Sequence, residues 1–210
     1  MSNLQYLSID RAESFIAQAL VSAQVPDADA KLIGQLMVQS DLVGADGHGI
    51  FRLPAYLKRI RAGGVNLKPN IRIEREKGAT ALINGDNGLG HLVMNKAVEV
   101  AIRKVKEHSV CWVGSHYGNH SGAASVYVRK LAEQGYIGIY MAVGNANHMA
   151  PWGGIDLLLS TNPIAIAVPA GDHPMVLLDI ATTVAAYGKV KLAAQKGETM
   201  PDDWMIDRQG

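Results

Sequence analysis

Four apolar runs of strand length, Val110–Val113, Ile137–Val143, Ile164–Val168 and Val176–Leu178, constrain the possible fold more than any other feature of this sequence. None alternates apolar with polar residues, the pattern expected of a strand with one wet face. Continuous runs of this kind predict interior strands covered on both faces. A helix is predicted between the first two runs, from about Ala123 to Gln134, with Gly135 closing it. The second half of the chain is therefore expected to be an α/β layer.

The first half reads differently. Ala12, Phe15, Ile16, Ala19, Leu20 and Ala23 recur at helical spacing after a capping Ser8, and Val25-Pro26 ends that segment. Asp27 is expected to cap a second helix bearing Leu32, Ile33, Leu36 and Met37. Pro54 suits the first turn of a third, which carries Tyr56, Leu57 and Ile60 and stops at Gly63-Gly64. After Pro69, Ile71 and Ile73 alternate with charged residues, and Ala79–Ile83 reads as a second strand. We place a domain boundary here, giving a helical part over residues 1–68 and an α/β part over 69–210.

Between the second and third helices stands Asp46-Gly47-His48-Gly49-Ile50-Phe51-Arg52, an acid, an imidazole and a guanidinium within seven residues. Imidazole titrates near neutral pH and can exchange a proton with a developing alkoxide. The planar guanidinium matches a carboxylate in a bidentate way. The same residues also suit a helix cap followed by a solvated turn, and the run alone does not choose.

Other polar residues cluster after the apolar runs, in Gly114–Gly122, Gly144–His148 and Asp179–Thr183. Ligands collect at the carboxyl ends of strands in open α/β sheets, so these loops are expected to share a crevice. Asp179 ends an apolar run, where it can orient an imidazole or cap a helix over Thr182–Gln195. Thr161-Asn162-Pro163 is either a turn or a set of polar groups for a cofactor. Gly85-Asp86-Asn87-Gly88-Leu89-Gly90 departs from the dinucleotide fingerprint and has no Walker lysine, so it reads as a tight turn. His116 and His120 have an i, i+4 spacing that suits zinc, but Gly118 between them opposes the helix such a pair needs, and no metal is expected. His91, His108 and His173 read as surface residues.

Charge narrows the partners. Twenty Lys and Arg stand against nineteen Asp and Glu, so neither nucleic acid nor an acidic membrane is an expected partner. The lone Cys111 has no intrachain partner and reads as a buried thiol in a reducing compartment. The start MSNLQYLSIDRAESF lacks the regions of a signal peptide, and no apolar window is long enough to span a membrane, which predicts a cytoplasmic protein.

Taken together, Asp46-Gly47-His48-Gly49 with Arg52, Asn119-His120-x-Gly122, Ala150-Pro151-Trp152-Gly153-Gly154, Thr161-Asn162-Pro163-Ile164 and Asp179-x-Ala181-Thr182 resemble, in order and spacing, the malate/L-lactate dehydrogenase-like (type 2) oxidoreductases. That family includes ureidoglycolate dehydrogenase, 2,3-diketogulonate reductase and piperideine-2-carboxylate reductase, and the resemblance covers essentially the whole chain. It implies an NAD- or NADP-dependent enzyme interconverting a 2-oxo acid and a 2-hydroxy acid. It also implies a homodimer in which an N-terminal helical part lies beside a mixed-sheet, non-Rossmann NAD(P)-binding domain. By position, His48 is then the proton donor and acceptor, Arg52 faces the substrate carboxylate, Asp179 supports the imidazole or the cofactor, and His120 has an acid/base or cofactor role. Ser121, Gly122, Ala123, Asn145, Ile180 and Ala181 lie on segments that approach the nucleotide. Two departures stand out: Gly47 replaces a frequent serine, and Ser115–Gly118 lacks a frequent arginine, leaving an anion contact to His116. Family members are longer, so the cofactor domain is expected to be incomplete, and the alternative reading is a non-catalytic remnant or interaction module.

Overall fold

The computed structural model describes residues 6–144 and 146–210. The helical spacing at the start becomes α1 (Ile9–Ser22) and α2 (Asp27–Leu42), whose facing stripes Ile16, Leu20, Ile33 and Met37 have no exposed surface. Burial of those stripes accounts for the helices better than capping does. Ser8 occupies the cap position of α1 without a side-chain cap bond, and Pro26 rather than Asp27 stands at the cap of α2. Asp27 is instead the first helical residue, where a carboxylate complements the positive end of the helix dipole. Gly34 lets the helices meet, since a Cβ there would lie 2.9 Å from the carbonyl oxygen of Glu13.

Two short 3-10 turns, Asp46–His48 and Ile50–Arg52, connect α2 to α3 (Leu53–Arg61), which has Pro54 in its first turn. The chain then changes to strands. β1 (Arg72–Lys77) pairs antiparallel with β2 (Thr80–Gly88), and β2 pairs parallel with β3 (Trp112–Gly118). The parallel step requires a crossover, supplied by α4 (Gly90–His108), whose Val93, Ala97 and Val100 pack on Ala81 and Ile83. The glycine-rich stretch is not a separate turn. β2 continues to Gly88, and Asp86 and Asn87 take positive φ where its register with β3 shifts. Asx residues tolerate that conformation, so a composition that reads as a turn here serves an irregular strand end. β3 likewise runs on through Ser115–Gly118, which the sequence assigns to a loop.

The chain divides into two compact units after Tyr127. That division lies downstream of the change from helix to strand near residue 69, because α4 packs against α2 as well as against its own sheet. α5 (Ser125–Ala132) crosses the division, and the chain turns at Gly135, where φ is +82°.

The second unit, Val128–Gly210, holds the antiparallel sheet β4 (Gly138–Met141), β5 (Ile164–Val168) and β6 (Val176–Ile180), followed by α6 (Tyr187–Lys196) and a 3-10 turn at Asp202–Trp204. The expectation that such strands are covered on both faces fails. Ala165 and Ala167 are fully buried on one face. On the other, Ile139 lies across from Ile166 and Leu178, and Met141 from Ile164 and Ile180; Ile139, Met141, Leu178 and Ile180 are 56, 60, 40 and 45% exposed. Val110 and Trp112, in the first run, are also exposed. An apolar run specifies a strand without specifying what lies over each face. Among the described residues no helix is long and apolar enough to cross a membrane.

Candidate functional site

Asp41, near the end of α2, folds the next segment back on itself. Its Oδ2 accepts the Ile50 N–H at 2.9 Å, and a Cβ on Gly49 would lie 1.8 Å from its Oδ1. Gly49 is thus a position where a carboxylate presses against bare backbone. Burial pushes the Asp41 carboxyl up and Asp46 adds to this, while the hydrogen bond from Ile50 opposes it. The segment is closed again when Arg52 Nε donates to the Gly47 carbonyl at 2.9 Å. Among the described residues no carboxylate pairs with the partly buried Arg52.

One turn into α3, the buried Tyr56 places its hydroxyl 2.7 Å from Nδ1 of His120. The Gly122 N–H donates to the same Nδ1 at 3.3 Å. A backbone N–H only donates, so Nδ1 is an acceptor, the Tyr56 hydroxyl is its second donor, and the neutral ring carries its proton on Nε2. His48 stacks on His120 with centroids 5.6 Å apart and planes 13° from parallel. His91, the second residue of α4, meets Tyr56 edge to face at 5.4 Å. The expectation that His91 is a surface residue is wrong: it is 1% exposed.

Burial sets the charge states. It lowers His91 to about 4, with His48 assisting. It lowers His120 to about 3, helped by the positive Arg52 and by His48 and His91. His120 keeps part of its surface exposed while its Nδ1 side packs against Tyr56 and Gly122, and the ring is neutral at neutral pH. Tyr56 is pushed well above the ordinary phenol range by burial, against the pull of Arg52, and stays protonated.

Asn119 fixes the segment that carries His120. Its Nδ2 donates to the carbonyl and side chain of Asn87 and to the Gly88 carbonyl, its N–H also reaches Gly88, and its Oδ1 accepts Arg59 Nε at 2.7 Å. Gly90 allows this contact, because a Cβ there would sit 2.1 Å from the Asn119 carbonyl oxygen. His48, Arg52, His120 and Gly122 are thereby gathered in the first unit, Gly122 with φ +79°, next to Ser121, whose carbonyl accepts the Tyr127 hydroxyl, and the buried Ala123. His116 lies apart on β3, its Nε2 3.0 Å from Glu74, so its anion partner is a residue of this chain.

In the second unit Asp179 and Ile180 close β6, with Asp179 across from Ala165, and Ala181 follows. Asp179 does not cap a helix over Thr182–Gln195, because α6 starts only at Tyr187. Thr161-Asn162-Pro163 uses its polar groups internally: Asn162 Oδ1 accepts the Gly144 N–H at 2.9 Å, and the Thr161 carbonyl accepts both the N–H and the hydroxyl of Thr182. Two of the three loops singled out are so tied together. Asn145 lies outside the described residues. Among those described, no group of three or more His, Cys, Asp or Glu side chains is placed to hold a metal.

A profile of the malate/L-lactate dehydrogenase family matches residues 7–210. The chain belongs to that family. Malate dehydrogenase of Pyrococcus horikoshii is 43% identical over 201 residues, covering 96% of this chain and 55% of that protein. Ureidoglycolate dehydrogenase (NAD(+)) of Escherichia coli K12 is 32% identical, covering 97% and 58%. The solved sulfolactate dehydrogenase of Methanocaldococcus jannaschii superposes with a TM-score of 0.89 at 38% identity, covering 98% of this chain and 59% of that one. The chain thus spans rather more than half the length of these relatives, and its mixed α/β architecture is that of the family. Within that family fold, the residues that sequence reasoning missed are His91, Tyr56 and Asp41. Tyr56 and Asp41 carry no local motif. His91 gave one faint signal, a histidine at the first turn of a helix beside a glycine-rich strand end.

Proposed function

We propose that this protein interconverts a small 2-oxo acid and the matching 2-hydroxy acid, with NAD or NADP as hydride carrier. The observation that supports it best is Arg52, a partly buried guanidinium without a carboxylate partner among the described residues, beside the stacked His48 and His120. A fixed cation next to imidazoles suits a substrate that is a carboxylate at one end and takes up a proton at the other.

In reduction the substrate's carbonyl carbon gains a hydride and its oxygen a proton. His48 gives that proton and recovers it in the reverse direction, while Arg52 grips the carboxylate. His120, held neutral with N–H at Nε2, supplies a second donor on the same stack. One such general acid is typically worth about 10²- to 10⁴-fold in rate. A nicotinamide nucleotide would supply the hydride. The segment Ser121–Ala123 would hold that group by the resemblance, with Gly122 bringing its backbone in at positive φ where the His91 ring fills the space a side chain would take. In the second unit, Asp179, Ile180 and Ala181, with Asn145, keep the cofactor role that the resemblance implies.

A second reading, a non-catalytic interaction module, is favoured by the apolar face that β4–β6 leave exposed. Fluorescence titration of the folded 210-residue protein with NADH and NADPH separates the two. Saturable binding, with turnover of 2-hydroxy acids that is lost in His48→Ala and shows a raised KM in Arg52→Lys, supports the enzyme. A folded protein that binds neither nucleotide sinks it.

A further inference from the structure

His91 has no place in the chemistry above, yet it sits at the centre of the residues that perform it. Both its ring nitrogens are buried, and neither has a hydrogen-bond partner among the described residues. Buried polar groups are ordinarily paired, and an aliphatic side chain would fill the same space without leaving two nitrogens unsatisfied. Hydrogen bonding therefore does not account for an imidazole at this position, which leaves its ring contacts to be considered.

Those contacts indicate a role. His91 meets Tyr56 edge to face, 87° from coplanar, and its Nε2 lies against Gly122, where a Cβ would come within 2.8 Å. Tyr56 and Gly122 are the two groups that donate to Nδ1 of His120. One ring thus touches both donors. We infer that His91 is a positioning residue: it sets the tilt of the Tyr56 phenol and the bend at Gly122, so that both donate to Nδ1 of His120 and Nε2 of His120 keeps the proton. Burial keeps His91 neutral, which avoids adding a positive charge among His48, His120 and Arg52. The inference concerns the geometry of His120; only its catalytic consequence rests on the proposed oxidoreductase activity.

The test is ¹⁵N NMR of histidine-labelled wild type, His91→Leu and His91→Gln, with circular dichroism as a check of folding. The Nε2–H tautomer of His120 is expected to dominate in wild type, to mix with the Nδ1–H form in His91→Leu, and to recover in His91→Gln, whose planar amide replaces part of the ring. Given oxidoreductase activity, kcat should fall roughly 10- to 100-fold in His91→Leu, the scale of small misplacements of catalytic groups, with KM for the 2-oxo acid little changed and kcat partly restored in His91→Gln. A folded His91→Leu with an unaltered His120 tautomer overturns the inference, whatever the activity. A shifted tautomer in a protein that turns over no 2-oxo acid supports the positioning role and removes the functional reading instead. If His91→Leu does not fold, His91→Ala takes its place: a mixed His120 tautomer supports the inference, and an unaltered one overturns it.

Discussion

The two compact units use apolar residues in opposite ways. In the first, the stripes of α1 and α2 close on each other, and Ile16, Leu20, Ile33 and Met37 have no solvent contact. In the second, Ile139, Met141, Leu178 and Ile180 form one side of a sheet and remain largely exposed. The first unit therefore gains stability from its apolar residues, whereas the second keeps much of its own available for contact. Similar composition leads to different outcomes because helices at three- and four-residue spacing bury one stripe against each other, while a three-stranded sheet has two faces to cover.

The largest effect should come from emptying the closed core. Ile33→Ala is expected to cost about 2–5 kcal/mol, and Ile139→Ala in the second unit less than about 0.5 kcal/mol, both read from urea midpoints at constant m-value. A comparable loss in both would show that the exposed face is covered in solution.

Acidification should act next. His91 in the folded protein titrates near 4, against 6.5 for an unperturbed imidazole. Between those values the unfolded chain binds the extra proton, so the share of stability linked to His91 is complete above pH 6.5 and declines as pH falls toward 4, by roughly 3 kcal/mol. His91→Gln should remove that share and leave the one from His120, whose ring is also held below its ordinary value. Equal pH dependence in wild type and variant would refute the assignment.

Glycines sharpen the same contrast on a smaller scale. Gly90→Ala drives a Cβ into the backbone of Asn119 and His120, with an expected loss of about 1–3 kcal/mol. Gly171, at φ +60° on an open turn, has nothing within reach of a Cβ, and its replacement by alanine should cost only the conformational strain, about 1 kcal/mol. Thermal unfolding of the two variants measures the difference.

Much of this was legible in the sequence. The helical stripes, the Pro54 start of α3 and the Gly135 turn follow from local spacing. So does the Asp46–Arg52 cluster, because its members are near neighbours in the chain. His91 was misread because its burial depends on Gly122 and Tyr56, each more than thirty residues away in sequence. The end of β2 was misread because Asp86 and Asn87 adopt in a strand the backbone that they more often supply to turns. The apolar runs gave strands, and their composition carried no information about the missing cover.

The contact between Asp41 and Gly49 also limits how this protein can change over generations. A side chain at 49 has no space while the carboxylate of Asp41 occupies it, so a methyl group at 49 requires either that the Asp41 side chain swing away, giving up its place beside Ile50, or that a smaller residue stand at 41. A smaller residue at 41 in turn gives up the hydrogen bond to Ile50. Each step is unfavourable by itself, and the pair is expected to persist or to be exchanged together, joining two positions eight residues apart into a single heritable character.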